Sequence, residues 1–396
     1  MRSDWLNDAQ WLEADVIRNR RHLHQLPELS FQELNTSNFI YNKLVSYGLT
    51  NIQRNVGNGY GIVAQIKGEG GPGPVIALRA DMDALPIEEA TDYRFRSQIK
   101  GVMHACGHDG HTAILLAVAQ LVHRKKAEFR GTVVFVFQHG EEVKPGGAKS
   151  ILASGLLDEV DEIYGLHVDP KLAIGQMSYS MDYGSACSDT IQIAVQGKSG
   201  HASRPHEAID SVIMAAEIIT NLQTMVSRTV DPFKPAVLTF GSVQAGGTAK
   251  NIIADQAMIY GTIRTFSEDV RLHLKKKLFQ MVEAIVSMND GEVEINYQDG
   301  YPALINTAEL VEELVTVFKH KQIFNRMFEL SPTLIGEDFA YYLQDIPGAF
   351  FHIGVSAQGD PRKYPLHHPK FSMEEASLMN GVKLFLSILM HKLAAN

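Results

Sequence analysis

Short apolar runs bounded by glycine or proline recur through the first half of the chain. Runs of this length are too short for core helices, so each predicts a strand buried on both faces; they cover residues 61–66, 75–78, 132–137 and 163–168. Apolar residues at helical spacing precede and separate these runs and predict helices over residues 11–25, 31–47, 110–124 and 147–157. Strands that alternate with helices are typical of a mostly parallel sheet flanked by helices.

After Cys187 the pattern changes. A strictly alternating stretch, residues 189–196, predicts a strand with one face toward solvent. A predicted helix follows, with Ile209, Val212, Ile213, Ala216 and Ile219 on its apolar face. After it come two strands near 236–243 and 256–266, a second helix through 274–285 and a last strand at 293–297. This β-α-β-β-α-β order predicts a small antiparallel sheet with two helices on one side.

The α/β pattern returns toward the end of the chain, with a helix at 310–319, a strand at 349–355 and a long helix at 373–393. The simplest arrangement is therefore an α/β domain built from residues 1–186 and 298–396, with an α+β unit of residues 187–297 inserted into it.

Composition excludes several classes of protein. The 396 residues are 45% apolar and 20% charged, as expected for a folded protein of two or three domains. No apolar run is long enough for a membrane span, and a net charge of −9 argues against sequence-independent binding to nucleic acid. Two cysteines are too few for a disulfide framework, and the first residues lack a secretory apolar run, so we expect a cytoplasmic location.

The densest chemical signal lies at residues 104–111, at the start of a predicted helix. His104, Cys106, His108 and His111 fall within this stretch, and thiolate and imidazole are good ligands for zinc and similar ions. An isolated Cys-x-His would more often be an ordinary helix start with a small buried cysteine. The density of histidines favours a metal site instead.

Further polar residues follow other predicted strands. The carboxyl ends of strands in an open α/β sheet gather the functional residues, and the candidates at these ends and in one late loop are Asp81, Asp83, Glu141, Glu142, His167, His367 and His368. Each residue alone also fits a turn, a solvated loop or a packed core. Together they match the needs of a two-metal hydrolytic site, which requires several ligands and one spare carboxylate as a base.

These residues lie in segments that resemble a known family over nearly the whole chain. The segments are 21–31, 78–86, 103–111, 137–142, 165–168, 200–202, 336–339 and 366–367. They resemble the dinuclear metal amidohydrolases of the aminoacylase, hippurate hydrolase and indoleacetyl-amino-acid hydrolase type, within the aminoacylase/carboxypeptidase metallopeptidase group.

The resemblance implies a role for each candidate. Two divalent metal ions per subunit, zinc or manganese, would be bound by Cys106, His108, Glu142, His167 and His367. Glu141 would be the general base that deprotonates the attacking water and then protonates the leaving amine. Asp81 and Asp83 would orient the ligand histidines without binding metal themselves.

The inserted unit resembles the lid of this family, which also mediates dimers. His201 would reach the active site of a second subunit and polarise the scissile carbonyl, although a strand-end histidine also commonly caps a turn. Asn251 and Arg264 match lid positions linked to the substrate carboxylate, since a guanidinium pairs well with a carboxylate. An exposed strand arginine is the alternative reading of Arg264.

The resemblance implies an enzyme, a homodimer that hydrolyses the amide bond of small N-acyl amino acids such as N-acetyl or N-benzoyl derivatives. Two alternatives stay open: a dipeptidase or exopeptidase with the same site, and a non-catalytic metal-binding or ligand-binding dimer. His139, Lys250 and His368 depart from the residues that relatives usually carry. They leave substrate preference open, along with the roles of His139 and His368.

Overall fold

The computed structural model describes residues 4–333, 336–359 and 364–394 of the chain. The helices in chain order are α1 (Trp5–Asp8), α2 (Glu13–Gln25), α3 (Leu34–Ser46), α4 (His108–Arg124), α5 (Ala148–Leu152), α6 (Ser211–Thr229), α7 (Glu268–Met288), α8 (Ala308–His320), α9 (Tyr342–Asp345) and α10 (Leu378–Lys392). The strands are β1 (Asn51–Val56), β2 (Gly61–Lys67), β3 (Val75–Asp81), β4 (Thr132–Gln138), β5 (Glu162–Ala173), β6 (Gln176–Tyr179), β7 (Tyr183–Ser185), β8 (Cys187–Gln196), β9 (Gly200–His201), β10 (Ala236–Ala245), β11 (Ile252–Ile253), β12 (Gln256–Thr265), β13 (Glu292–Gln298), β14 (Leu304–Ile305), β15 (Arg326–Glu329) and β16 (Gly348–Ser356).

The chain divides into two compact units. Unit 1 comprises Met1–Gly184, Ile305–Ser331 and Asp338–Asn396, and unit 2 comprises Ser185–Leu304 and Pro332–Glu337. The segment 187–297, which the sequence assigned to an inserted unit, falls inside the first segment of unit 2.

Unit 1 is built on an eight-stranded sheet of order β1-β2-β4-β3-β5-β16-β6-β15. Its four central strands, β4, β3, β5 and β16, run parallel to one another. Strands β3 and β4 are buried at almost every position, on both faces, which explains why they appear in the sequence as unbroken apolar runs. The predicted mostly parallel sheet flanked by helices is confirmed.

Helix α4 lies at the centre of unit 1. It packs against β3, β4 and β5 on one side and against α2 and α10 on others. All of its residues from His108 to Ala119 are buried; the polar ones lie at its start, and residues 113–119 are apolar on every face. The amino end of α4 therefore has a fixed position over the carboxyl ends of the central strands.

Some elements of unit 1 differ from the prediction. The helix expected at 147–157 is α5, Ala148–Leu152, followed by turns, and the helix expected at 373–393 starts at Leu378 after a 3₁₀ turn at Glu375–Ser377. Strands β1, β6 and β15 were not predicted. They are short, and β1 is mostly exposed, so no apolar pattern marks it.

Unit 2 contains a four-stranded antiparallel sheet of order β10-β12-β8-β13. Its long elements follow in the order β8, α6, β10, β12, α7 and β13, which confirms the predicted β-α-β-β-α-β arrangement. Helices α6 and α7 contact each other and the same sheet. Their buried apolar side chains form a core separate from that of unit 1.

The predicted apolar face of α6 is only partly confirmed, because Ile209 and Ile219 pack against the core but the other members of that face do not. Val212 and Ile213 are 45% and 51% exposed, whereas the core contains a neighbouring stripe of the same helix: Met214, Ala215, Ile218, Leu222 and Met225. Apolar residues occupy two adjacent faces of α6, so helical spacing alone did not determine which face packs on the sheet. None of the helices in the described part of the chain has the length and apolar character needed to cross a bilayer.

Candidate metal centre

The start of α4 lies against Val168 of β5 because Gly107 permits a close approach. Gly107 has a φ of 87°, and a Cβ atom there would be 2.4 Å from Cγ2 of Val168. Only glycine accommodates both the left-handed backbone and this contact. Cys106 and His108, on either side of Gly107, are thereby placed beside His167 on β5.

The structure brings the predicted ligand residues together in overlapping sets. The ligand atoms of Cys106, His108 and His167 all lie within 4.8 Å of one another, and so do those of Cys106, Glu142 and His367. A third set joins His108 and Glu142 to Glu141. Cys106, His108 and Glu142 each belong to two of these three sets, so the sets form one continuous cluster large enough for neighbouring cations.

The ring nitrogens of the two buried histidines are oriented for metal binding. Nδ1 of His108 donates to Oδ1 of Asp83 at 3.1 Å, and Nδ1 of His167 donates to the carbonyl oxygen of Val168 at 2.8 Å. Because these partners can only accept, each ring donates from Nδ1 and presents its Nε2 atom toward the other ligand atoms. Nε2 of His167 lies 3.4 Å from Sγ of Cys106. Nε2 of His108 is buried and has no hydrogen-bond partner among the described residues.

Glu142 and His367 complete the cluster from two loops. Nε2 of His367 lies 3.2 Å from Oε1 of Glu142, which is also 3.9 Å from Nε2 of His108. His367 has a φ of 64°, a sparsely populated conformation for a residue with a side chain, and its N–H donates to the carbonyl oxygen of Ala105. Strain of this kind is concentrated at functional sites. The loop thus holds the imidazole over Glu142.

The electrostatic field of this pocket favours cations. Burial lowers the pKa of His108, but Asp81, Asp83 and Glu142 oppose that effect and raise its pKa to about 10. Burial, with the carboxylates of Glu142 and Glu141, also raises the pKa of the Cys106 thiol well above its usual range. A divalent cation would displace both protons and satisfy the same field. The residues present therefore fit a metal centre.

Asp81 and Asp83 bind the Nδ1 atoms of the histidines on α4. Burial alone would raise the pKa of Asp81, but His108, Arg79 and His111 hold it well below its usual range. Asp81 accepts a hydrogen bond from Nδ1 of His111 at 2.6 Å and one from Arg79 at 2.6 Å. Both aspartates are fully buried and fix neighbouring side chains in orientation.

The remaining histidines of the sequence signal lie in different environments. Both nitrogens of His111 are engaged, because Nε2 accepts the N–H of Val168 at 3.0 Å; this ring has no lone pair left for a metal. His104 is buried beside His24, and His139 is buried against Gly59 on the β1–β2 turn and Gly61 at the start of β2. His368 stacks on Tyr364 in the loop that contains His367.

The three candidate site residues of unit 2 lie at two separate positions. His201 on β9 pairs with Ile252 on β11, and the N–H of Ala202 donates to the carbonyl oxygen of Asn251, so His201 and Asn251 are neighbours. Both are exposed, and Nδ1 of His201 lies 2.7 Å from the Ser203 hydroxyl. Arg264 lies near the far end of β12, opposite Ser188, and is half-buried.

The structure also contains a buried network to which sequence reasoning assigned no role. Arg79 donates to Asp81 and, at 2.7 Å, to Asp338, while the Gln138 side chain donates to both oxygens of Asp338. Arg79 and Asp338 lay within segments that carried the family resemblance. A buried arginine is informative only once its two carboxylate partners are known, and one of them, Asp338, is distant in sequence.

The sequence matches the profile described as peptidase family M20/M25/M40 over residues 77–391. It is 42% identical over 370 residues to YhaA, a candidate amidohydrolase of Bacillus subtilis (strain 168), covering 93% of this chain and 92% of that protein. It is 39% identical to the N-acetyl-L-cysteine deacetylase of the same organism, covering 93% and 86%. It is 36% identical to thermostable carboxypeptidase 1 of Saccharolobus solfataricus, covering 95% and 94%.

Two solved structures are similar throughout. A candidate aminohydrolase from methicillin-resistant Staphylococcus aureus has a TM-score of 0.92 at 37% identity, covering 99% of this chain and 100% of that one. The YXEP protein of Bacillus subtilis, described as a dinuclear metal binding peptidase, has a TM-score of 0.81 at 33% identity, covering 97% and 99%. The chain therefore belongs to peptidase family M20/M25/M40. It is a hydrolase of the amidohydrolase type, which confirms the predicted relationship and enzyme class.

Proposed function

We propose that this protein hydrolyses the amide bond of N-acyl amino acids and releases a carboxylate and a free amino acid. The observation that carries the proposal is a cluster of possible ligand residues. They form overlapping groups in which all ligand atoms lie within 4.8 Å of one another, with Glu141 in one of the groups; the ligand residues are Cys106, His108, His167, Glu142 and His367. The 39% identical relative that acts as an N-acetyl-L-cysteine deacetylase supports this substrate class.

The five converging residues would hold two divalent ions. Thiolate and imidazole favour zinc, while the carboxylate admits manganese, so we propose one of these two metals. When bound, the ions would lower the pKa of a water molecule and polarise the substrate carbonyl.

Glu141 would handle the proton. It is 6% exposed, and one of its oxygens lies within 4.8 Å of ligand atoms of His108 and Glu142. A carboxylate at this place can accept a proton from the attacking water and deliver it to the leaving amine. Glu142 would act as a ligand, so the two adjacent glutamates would divide the two tasks.

The substrate-binding site would be completed by lid residues of a homodimer. We assign His201 from a second copy to the developing oxyanion, and Asn251 and Arg264 to the substrate carboxylate. Exposed apolar residues of unit 2 support self-association: Val212 and Ile213 on α6, and Val237 and Val243 on β10, which is an edge strand of the described sheet. Edge strands and apolar patches of this kind are commonly covered by a partner.

We also propose a cytoplasmic location. Cys106 and Cys187 are both buried and unpaired, and a reducing compartment preserves a thiol that serves as a metal ligand.

The proposed function is tested with Glu141→Ala. This variant should retain the metal content of the wild type, because Glu141 is not assigned as a ligand, and should lose at least about 100-fold in kcat on N-acetyl and N-benzoyl amino acids. Metal analysis and steady-state kinetics on the same preparations measure both quantities. Near-normal turnover would contradict the role of Glu141.

The second candidate function is that of an exopeptidase with the same site. The 36% identity to a thermostable carboxypeptidase favours it. Comparing kcat/KM for a panel of N-acyl amino acids with that for dipeptides distinguishes the two activities. Absence of turnover on every amide, with metal bound, would instead favour a non-catalytic binding protein.

A further inference from the structure

The loop that contains Glu141 is held by buried carboxylates from outside the loop. The N–H of Gly140 donates to Oε1 of Glu33 at 2.7 Å, and the N–H of Glu142 donates to Oδ2 of Asp83 at 3.0 Å. The amides on both sides of Glu141 are thus bound to ionisable acceptors. Hydrogen bonds with a charged acceptor are shorter and stronger than neutral ones.

Glu33 is a buried carboxyl group that also accepts hydrogen bonds from the amides of Phe31 and of Glu33 itself, so it joins its own turn to the loop that contains Glu141. It is fully buried, and its Oε2 atom has no hydrogen-bond partner among the described residues. Burial and the nearby Asp83 raise the pKa of Glu33 to about 7. Keeping a carboxyl group in such an environment is unfavourable for folding, so a requirement other than stability is the simplest reason for it.

The backbone that Glu33 contacts is also conformationally special. Gly140 has a φ of 64°, and a Cβ atom there would lie 2.7 Å from the ring of Phe31. Phe31 itself has a φ of 63°. The segment 30–33 therefore touches the catalytic loop twice, through the ring of Phe31 and through Glu33. A third contact fixes the neighbouring carboxylate, because the Ser30 hydroxyl donates to Asp83 at 2.7 Å.

We propose that Glu33 is a positioning residue for the reaction: by accepting the Gly140 amide proton, it sets the direction in which the loop presents Glu141. This inference rests on the proposed function of Glu141 as the base. Glu33 lies outside residues 77–391, the part that matches the family profile. A displacement of about 1 Å in a catalytic group is enough to lower turnover about 100-fold.

The test compares Glu33→Ala and Glu33→Gln with the wild-type enzyme loaded with metal. Glu33→Ala should lower kcat about 10- to 100-fold with KM changed less than about twofold, because substrate contacts are untouched. Metal content should stay that of the wild type. Glu33→Gln retains an oxygen that can accept the amide, so it should recover most of the lost turnover.

Asp161→Ala is the matched control. The Asp161 carboxylate accepts the N–H of Val75 at 2.8 Å, but it lies at the opposite end of β3 from Asp81, roughly 20 Å away along the strand. This variant removes a carboxylate acceptor from a backbone amide at an exposed site and should leave kcat unchanged.

Amide hydrogen exchange provides a readout that does not depend on activity. Glu33→Ala should accelerate exchange in a peptide covering 139–143 and leave α6 unchanged, while Asp161→Ala should accelerate exchange only around Val75. Wild-type kcat in Glu33→Ala, unchanged exchange at 139–143, or exchange accelerated throughout unit 1 would each overturn the proposal. A wild-type protein inactive on all amides would refute the proposed function instead, and the exchange data would still decide whether Glu33 holds the loop.

Discussion

At the scale of single residues, histidines have different roles in this protein, and the hydrogen-bond partners of each ring determine its role. His108 and His111 lie one turn apart on α4, and each donates from Nδ1 to an aspartate. The second nitrogen separates them: Nε2 of His111 accepts a backbone N–H, whereas Nε2 of His108 points into the cluster of ligand atoms. A tautomer fixed by its partner is what makes an imidazole a ligand.

Glu33 gives a pH-dependent prediction at this scale. Its pKa is raised from 4.5 to about 7 in the folded protein, so its contribution to stability is complete below pH 4.5 and is lost as the pH rises through 7. Relative to Glu33→Gln, which does not titrate, the wild type should lose about 3 kcal/mol of unfolding free energy between pH 4.5 and 8.

Urea unfolding of both proteins at pH 5 and pH 8, at equal metal occupancy, measures this difference. The variant should be the more stable protein at pH 8, by an amount that shrinks toward pH 5. An equal difference at the two pH values would mean that Glu33 has an ordinary pKa.

At the scale of elements, α6 and β10 of unit 2 have the features of an interface. Val243 on β10 is 51% exposed, and Ile213 on α6 is also 51% exposed. The open edge of β10 leaves backbone groups available for pairing with another strand. Helix α6 and strand β10 contact each other, and we propose that their exposed apolar residues belong to one surface.

We expect charges on this surface to disrupt the proposed dimer. Val243→Lys combined with Ile213→Lys should convert a dimeric wild type into monomers, because a buried unpaired ammonium opposes association. Leu272→Lys on α7, at a position 58% exposed, is the control and should leave the mass unchanged. Light scattering coupled to gel filtration measures the mass. A monomeric wild type would contradict the assignment of the surface.

At the scale of the whole molecule, the two units have separate apolar cores, and the proposed metal ligands lie in only one of them. Every proposed ligand, Cys106, His108, Glu142, His167 and His367, belongs to unit 1. Unit 2 has its own apolar core between its sheet and helices α6 and α7. A ligand that binds only the folded state stabilises the part of the protein that binds it.

Metal removal should therefore affect the units differently. With a chelator, α4 should lose hydrogen-exchange protection by an amount equivalent to about 4 kcal/mol if the metal was present at 1,000 times its dissociation constant. Peptides from α6 and α7 should keep their protection, and adding zinc or manganese should restore α4. Equal loss in both units, or none in α4, would contradict the placement of the metal in unit 1.

The sequence was most informative where one physical cause dominates. Residues 132–137 are apolar throughout because β4 is covered on both faces, and the strand was predicted on that ground alone. The order of elements in unit 2 followed from periodicity in the same way. The short stretch from Cys106 to His111 indicated metal binding because few other needs gather a thiol and imidazoles so densely.

What the sequence by itself determined was thus most of the long strands and helices, the family and the inventory of chemical groups, since these depend on local pattern and composition. Only the tertiary structure decided which face of α6 is buried, that the second nitrogen of His111 is already engaged, and that Glu33 holds Gly140. Each of these depends on a contact between residues that are distant in sequence, and a single chain pattern contains no information on which distant partner a side chain meets.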